Sequence, residues 1–155
     1  MKLNYMNSNS IIIISGEPNS IFLEIFFKTL KKLKTKKPLI LIASYKLVKL
    51  QMAKLKFKKK IKIINQKNFL NSKLDNKFIN LIDVKYNPSK AFENISSKSN
   101  NYIKSCFEIG FQIIKKNNIK RLVTGPISKK TFLNKKYLGL TEYISKKFNV
   151  KKSAM

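Results

Sequence analysis

Ile11-Ile12-Ile13-Ile14-Ser15-Gly16-Glu17-Pro18 is the stretch that decides the fold. Four β-branched residues in a row favour a strand, and an uninterrupted apolar run marks a strand covered on both faces, as in a parallel sheet. Ser-Gly-Glu-Pro then ends it with turn chemistry. Asn19 or Ser20 stands where a helix cap is wanted, and Phe22, Ile25, Phe26, Leu30 and Leu33 follow at helical spacing. The same unit repeats outward from there. Leu39-Ile40-Leu41-Ile42 is a second buried strand, and Ser44 opens a helix carrying Leu47, Leu50, Met52 and Leu55. Ile61-Lys62-Ile63-Ile64 reads as a third strand and, after a weaker stretch from Asn65, Phe78 to Val84 as a fourth. A long helix then places Ile103, Phe107, Phe111 and Ile114 on one face, with Gly110 inside it and Asn117-Asn118 at its end. Arg121-Leu122-Val123-Thr124 is the next strand, and two short helical pieces flank a turn at Gly139. Strand–helix alternation of this kind, without an internal repeat, predicts an α/β fold: a largely parallel sheet with flanking helices, joined by right-handed crossovers.

The 155 residues suffice for one hydrophobic core, and 43% hydrophobic content argues for a folded chain. Cys106 is the only cysteine, so no internal disulfide forms and a reducing cytoplasm fits best. Ile11–Ile14 is too short for a membrane span or a signal-peptide core, and no membrane partner is expected. Histidine is absent, which removes the usual general base and the commonest metal ligand from this chain. A net charge of +27 invites a nucleic-acid reading, yet Arg121 is the sole arginine and every other basic residue is lysine. Base readers rely on the bidentate guanidinium, so no specific nucleic acid is expected, only salt-sensitive attraction to polyanions. Runs such as Lys58-Lys59-Lys60 read as solvated surface.

Two turns fall at strand ends, where ligands of open parallel sheets bind. One is Ser15-Gly16-Glu17-Pro18; the other is Thr124-Gly125-Pro126-Ile127-Ser128-Lys129. A turn entering a helix offers unpaired N–H groups to an anion, Lys129 can add a full charge, and Ser128 or Thr124 a hydroxyl. The plainer alternative makes Gly125-Pro126 a tight turn and Lys129 surface. Glu17 is either a general base or an acceptor for its own turn. At Gly139-Leu140-Thr141-Glu142, Thr141 can cap the last helix while Glu142 complements its dipole.

In order, these segments resemble the 4-hydroxythreonine-4-phosphate dehydrogenase family of pyridoxal phosphate biosynthesis. That family opens with a strand and a Gly-Asp/Glu-Pro-Ala-Gly-Ile-Gly-Pro-Glu turn, matched here by Gly16 to Glu24 with two glycines and a proline replaced. Its Thr-Gly/Ala-Pro-x-x-Lys segment matches Thr124, Gly125, Pro126 and Lys129. Its Gly-His-Thr-Glu turn matches Gly139, Thr141 and Glu142, with Leu140 in the place of the histidine.

The resemblance implies a fold like that of isocitrate and isopropylmalate dehydrogenases, two α/β lobes around a cleft, usually as a homodimer. Residues 1–155 would be the N-terminal portion of such a two-lobed protein. Val150 to Met155 carries no cap or stop signal, which suits a chain that continues. The implied reaction is NAD- or NADP-dependent oxidation and decarboxylation of a small phosphorylated hydroxy acid such as 4-phosphohydroxy-L-threonine. A divalent metal held by three histidines, expected downstream of residue 155, would act as Lewis acid. Thr141 carries over as a substrate contact, and the candidate substrate-binding set is Thr141, Lys129, Ser128, Thr124, Gly125 and Glu17. The catalytic residues are not assigned. The alternative is a divergent, non-catalytic phosphometabolite-binding protein of the same fold, motivated by the replacements at Ser20, Phe22 and Leu140. A lysine-rich nucleic-acid-associated domain is the third reading.

Overall fold

The apolar runs lie at the centre of the molecule because both of their faces are covered. The computed structural model describes residues 9–67, 71–133 and 136–150. In chain order it contains β1 (Ile11–Ile14), α1 (Phe22–Lys32), β2 (Leu39–Ala43), α2 (Tyr45–Lys54), β3 (Ile61–Ile63) and β4 (Ile79–Asp83). A 3-10 turn (Ser97–Ser99) then leads into α3 (Asn100–Asn117) and β5 (Leu122–Thr124). A wide helical turn (Lys129–Leu133) and α4 (Leu140–Phe148) complete it. The expectation for the chain end falls mainly on residues 151–155, outside the described residues. Among the described residues, no helix is long and apolar enough to cross a membrane.

The five strands lie in the order β3-β4-β2-β1-β5, and every neighbouring pair is parallel. The expected α/β class with a parallel sheet is what forms. All five residues of β2 are buried, and Ile12, Ile14, Ile40 and Ile42 are fully so. Each such side chain contributes about 1.5–3 kcal/mol through removal from water. The link from β4 to β5 carries α3 back across β2 and β1. Gly110 lets it come close: a Cβ there would lie 2.6 Å from Ile14 Cδ1 and 3.4 Å from Ile42 Cδ1. Strand residues alternate in direction, so Ile13 and Leu41, equally buried, serve the opposite face, left to α1 and α2. The chain leaves β1 toward β2 on one side and returns to β5 on the other. The reversal of strand order therefore falls between β1 and β5, the place where open parallel sheets bind ligands.

Details depart from the sequence pattern where a distant segment competes for a helix face. On α1 the buried residues are Leu23, Phe26 and Phe27, while Ile25 and Leu33 are about half exposed. Phe57, delivered by the loop after α2, stacks on Phe27 with ring centroids 4.8 Å apart and turns the helix toward itself. On α2 the buried set includes Gln51, whose Nε2 donates to the carbonyls of Pro18 (2.9 Å) and Ala91 (2.8 Å). Ser44 does cap α2, accepting from the Leu47 N–H, and Asn118 ends α3 in a left-handed conformation (φ 49°).

Candidate functional site

Parallel pairing in register brings Ile14 beside Thr124, so the two exit turns leave the sheet side by side. They then interlock. The Gly125 N–H donates to the Ile14 carbonyl at 2.7 Å, and the Glu17 N–H to the Pro126 carbonyl at 2.8 Å. Gly16 adopts φ +67°, and a Cβ on it would sit 2.4 Å from the Pro126 carbonyl oxygen. A Cβ on Gly125 would come within 2.1 Å of the Ser15 carbonyl oxygen. Only glycines permit this approach of two backbones, and with them the turns form one rigid rim.

The β1 turn spends its own donors. The Asn19 N–H donates to the Glu17 carboxylate (3.3 Å), the Ser20 N–H to the Glu17 carbonyl (3.1 Å) and the Phe22 N–H to Ser20 Oγ (3.3 Å). Helix α1 begins one residue later than a Ser20 cap would place it, with Ile21 at the cap position. The Glu17 side chain points inward and is 2% exposed. Ser99 Oγ donates to it at 3.2 Å. Burial raises its pKa above the ordinary carboxylate value, and the bonds from Asn19 and Ser99 only partly offset this. Tyr86, half-buried nearby, is likewise pushed up, by burial first and then by the charges of Glu93 and Glu17. Glu17 thus serves its own turn and, where ionised, places negative charge beneath the rim.

The β5 turn is the one with donors to spare. Among the described residues no hydrogen bond occupies the backbone N–H of Ile127, Ser128 or Lys129. Ser128 Oγ accepts the Thr131 N–H (3.1 Å), which leaves its hydroxyl proton free to donate outward. Lys129 is exposed and Thr124 half-buried. Asn100, at the start of α3, donates from Nδ2 to the Thr131 carbonyl at 2.8 Å. Asn100 Oδ1 and Thr131 Oγ1 are buried without a hydrogen-bond partner among the described residues. A lone buried polar atom is costly, so these two favour a polar group brought to this rim. Asn100, Thr131 and Ser99 gave no signal in the sequence, since nothing local ties residues 99–100 to residues 17 and 131.

Thr141 is exposed in the first turn of α4 and does not cap it. Gly139 occupies the cap position in an extended conformation, and the Glu142 carboxylate accepts the Leu138 N–H instead. Among the described residues no hydrogen bond ties Thr141 to the two interlocked turns. The link runs through Tyr143, whose ring meets Phe132 of the wide turn at 5.7 Å. Leu140 packs against the apolar core.

The exits of β2 and β4 add a polar cavity of about 350 Å³ on the same edge of the sheet, lined by Ser44, Lys46, Asp83, Lys85, Tyr86 and Asn87. Asp83 there accepts the Tyr45 N–H at 2.7 Å. There is no histidine, and among the described residues no cluster of three or more histidine, cysteine, aspartate or glutamate side chains could hold one.

Solved structures share this fold. The chain is similar to a 4-hydroxythreonine-4-phosphate dehydrogenase from Burkholderia phymatum, at 18% identity and a TM-score of 0.79, over 93% of this chain and 44% of that one. It is similar to the 4-hydroxythreonine-4-phosphate dehydrogenase of Klebsiella pneumoniae at 17% identity and a TM-score of 0.75, over 89% of this chain and 44% of that one. It therefore spans less than half the length of these structures, and at such identities the likeness speaks for the fold. No curated protein matches the sequence. Residues 34–155 match the family described as "Pyridoxal phosphate biosynthetic protein PdxA", a stretch that takes in β2 to β5, the Gly125 turn and the Gly139 turn. With that match over most of its length, on a parallel sheet whose β1 and β5 exits interlock, the chain belongs to the PdxA family.

Proposed function

We propose that residues 1–155 form the N-terminal part of a two-lobed NAD- or NADP-dependent dehydrogenase, acting on a 4-phosphorylated hydroxy acid such as 4-phosphohydroxy-L-threonine. The observation that carries this reading is the β5 turn. Three unspent N–H groups, the Ser128 hydroxyl and the exposed Lys129 ammonium belong to one turn at the strand-order reversal, a donor set suited to a phosphate or carboxylate. Gly125 holds that turn against β1, and Thr124 and Thr141 supply further hydroxyls. Glu17 supports the rim from below and meets the ligand only through the turn it orders.

The residues described, with no histidine and no cluster of three carboxylates or thiols, do not fit a metal. Metal, cofactor and the catalytic groups belong, in this reading, to parts of the fold that the chain does not span. A homodimer and a cytoplasmic setting complete the proposal, the latter because a lone, fully buried thiol suits a reducing compartment.

Direct binding tests the rim. 4-Phosphohydroxy-L-threonine titrated into the chain should perturb Ser128 and Lys129 resonances, and Lys129→Ala should weaken binding about fivefold, the worth of an exposed charge pair. Perturbations confined to other surfaces would refute the placement. A second reading, the non-catalytic binding protein, is favoured by Leu140, which is spent on core packing where the family carries a histidine. Turnover separates the two. A protein extended to the length of the matched structures should form NADH or NADPH from that substrate with divalent metal if it is a dehydrogenase, and bind without turnover if it is not.

A further inference from the structure

Lys58-Lys59-Lys60 is solvated, as expected, with Lys58 and Lys60 exposed, but its backbone is held at both ends. After α2 the chain turns at Lys56, which is left-handed (φ +50°), and doubles back, with the Phe57 N–H donating to the Met52 carbonyl at 2.9 Å. The Lys60 carbonyl is then fixed by the Ile79 N–H, also at 2.9 Å. The lysine run, tethered at both ends, becomes one wall of a groove of about 740 Å³ between α2 and the β3 edge. Lys49 faces it from α2, with Tyr45 one turn before and Met52 one turn after. Phe57 and Phe78 complete an apolar, aromatic floor.

No acidic residue lines this groove. None of the four lysine ammonium groups has a hydrogen-bond or ion-pair partner among the described residues. Four like charges around one groove repel each other, and an anion seated among them relieves that repulsion. Lysine is a point charge, suited to phosphate without the planar fork that base reading needs. The volume falls within the roughly 300–1,000 Å³ of small-ligand sites. The half-buried Phe78 offers a face on which a flat ring can lie.

We propose that this groove binds a mononucleotide, its phosphate among Lys49 and Lys58–Lys60 and its base against Phe78, which the Ile79–Lys60 hydrogen bond sets beside the lysine run. The groove shares no residue with the β1 and β5 turns and lies at the opposite edge of the sheet, so the proposal stands apart from the dehydrogenase reading.

Calorimetric titration of the 155-residue chain with AMP, adenosine and inorganic phosphate tests it. AMP should bind at one saturable site, with adenosine and phosphate each at least about tenfold weaker, since each offers half of the recognised chemistry. The triple variant Lys58→Gln, Lys59→Gln, Lys60→Gln should lose at least about tenfold in AMP affinity, roughly 0.5 kcal/mol or more per charge removed. A triple variant of equal charge change, Lys34→Gln, Lys116→Gln, Lys120→Gln, should stay within about twofold. If the first variant fails to fold by circular dichroism, Lys49→Gln alone should weaken AMP binding about threefold. No AMP binding, equal losses in both triple variants, or equal affinity for phosphate and AMP would each overturn the proposal. So would binding of an oligothymidylate without binding of AMP, which would point to a strand as occupant.

Discussion

At the scale of single residues, the rim depends on two missing side chains and one misdirected charge. Gly125→Ala places a methyl within 2.1 Å of a backbone oxygen that cannot retreat without breaking the β1–β5 pairing. It should cost about 3 kcal/mol or more, read as a lower urea midpoint at unchanged slope. The sequence made these glycines visible as turn formers; that each turn needs the other's glycine follows only from β1 and β5 being neighbours. Glu17 was legible as a carboxylate in a turn but not as one facing inward, because the Ser99 that receives it is 82 residues away. Burial raises its folded pKa above 4.5, so the folded chain holds the proton more tightly than the unfolded one. Stability from this group is complete below about pH 4.5 and is lost as the pH climbs through the raised folded value. Glu17→Gln keeps an acceptor for Ser99 and Asn19 without the charge. Its urea midpoint should therefore gain on the wild type between pH 4 and pH 7, and a gap that stays constant would contradict the assigned burial.

At the scale of elements, α3 locks the sheet edge through one hydroxyl. Tyr102 is buried, its OH lies 2.9 Å from Ser15 Oγ, and it accepts the Ser44 N–H at 3.1 Å. The exits of β1 and β2 are thereby pinned to the same helix. Burial, and after it the neighbouring Cys106, pushes the phenol well above its ordinary pKa, so it stays a neutral hydrogen-bonding group. Tyr102→Phe leaves the Ser44 N–H and the Ser15 hydroxyl without this partner and should cost about 1–3 kcal/mol in a thermal or urea melt. A neutral result would mean that the two exits hold their own positions. Helices were legible as elements because periodicity survives any context, whereas the choice of buried face on α1 was not. Periodicity favoured Ile25 and Leu33; Phe57, 30 positions beyond Phe27, drew the helix round to Leu23 and Phe27. Thr141 shows the same limit at a cap, since Gly139 takes the cap position two residues before that hydroxyl.

At the scale of the whole molecule, the alternation of apolar runs and amphipathic helices was enough to foresee a parallel α/β sheet, because hydrophobic burial on both faces leaves few other arrangements. Strand order was not legible, and with it the lysine-walled groove was not. Charge acts at this scale too. Thirty-four basic residues face seven acidic ones, and the described residues contain only two ion pairs, Lys28–Glu24 and Lys104–Glu108. Self-repulsion should therefore dominate the salt response. Raising sodium chloride from 20 to 300 mM should lift the melting temperature by about 3–6 °C, and a fall would show that attractive pairs outweigh repulsion. Cys106 lies fully buried in α3, and that burial pushes its thiol up to about 12. At pH 8 the folded chain hides its single sulfur and keeps it protonated, so Ellman's reagent can react only in moments when α3 parts from the sheet. The colour released by untouched protein is then a clock for that breathing motion, with no second thiol to blur the reading.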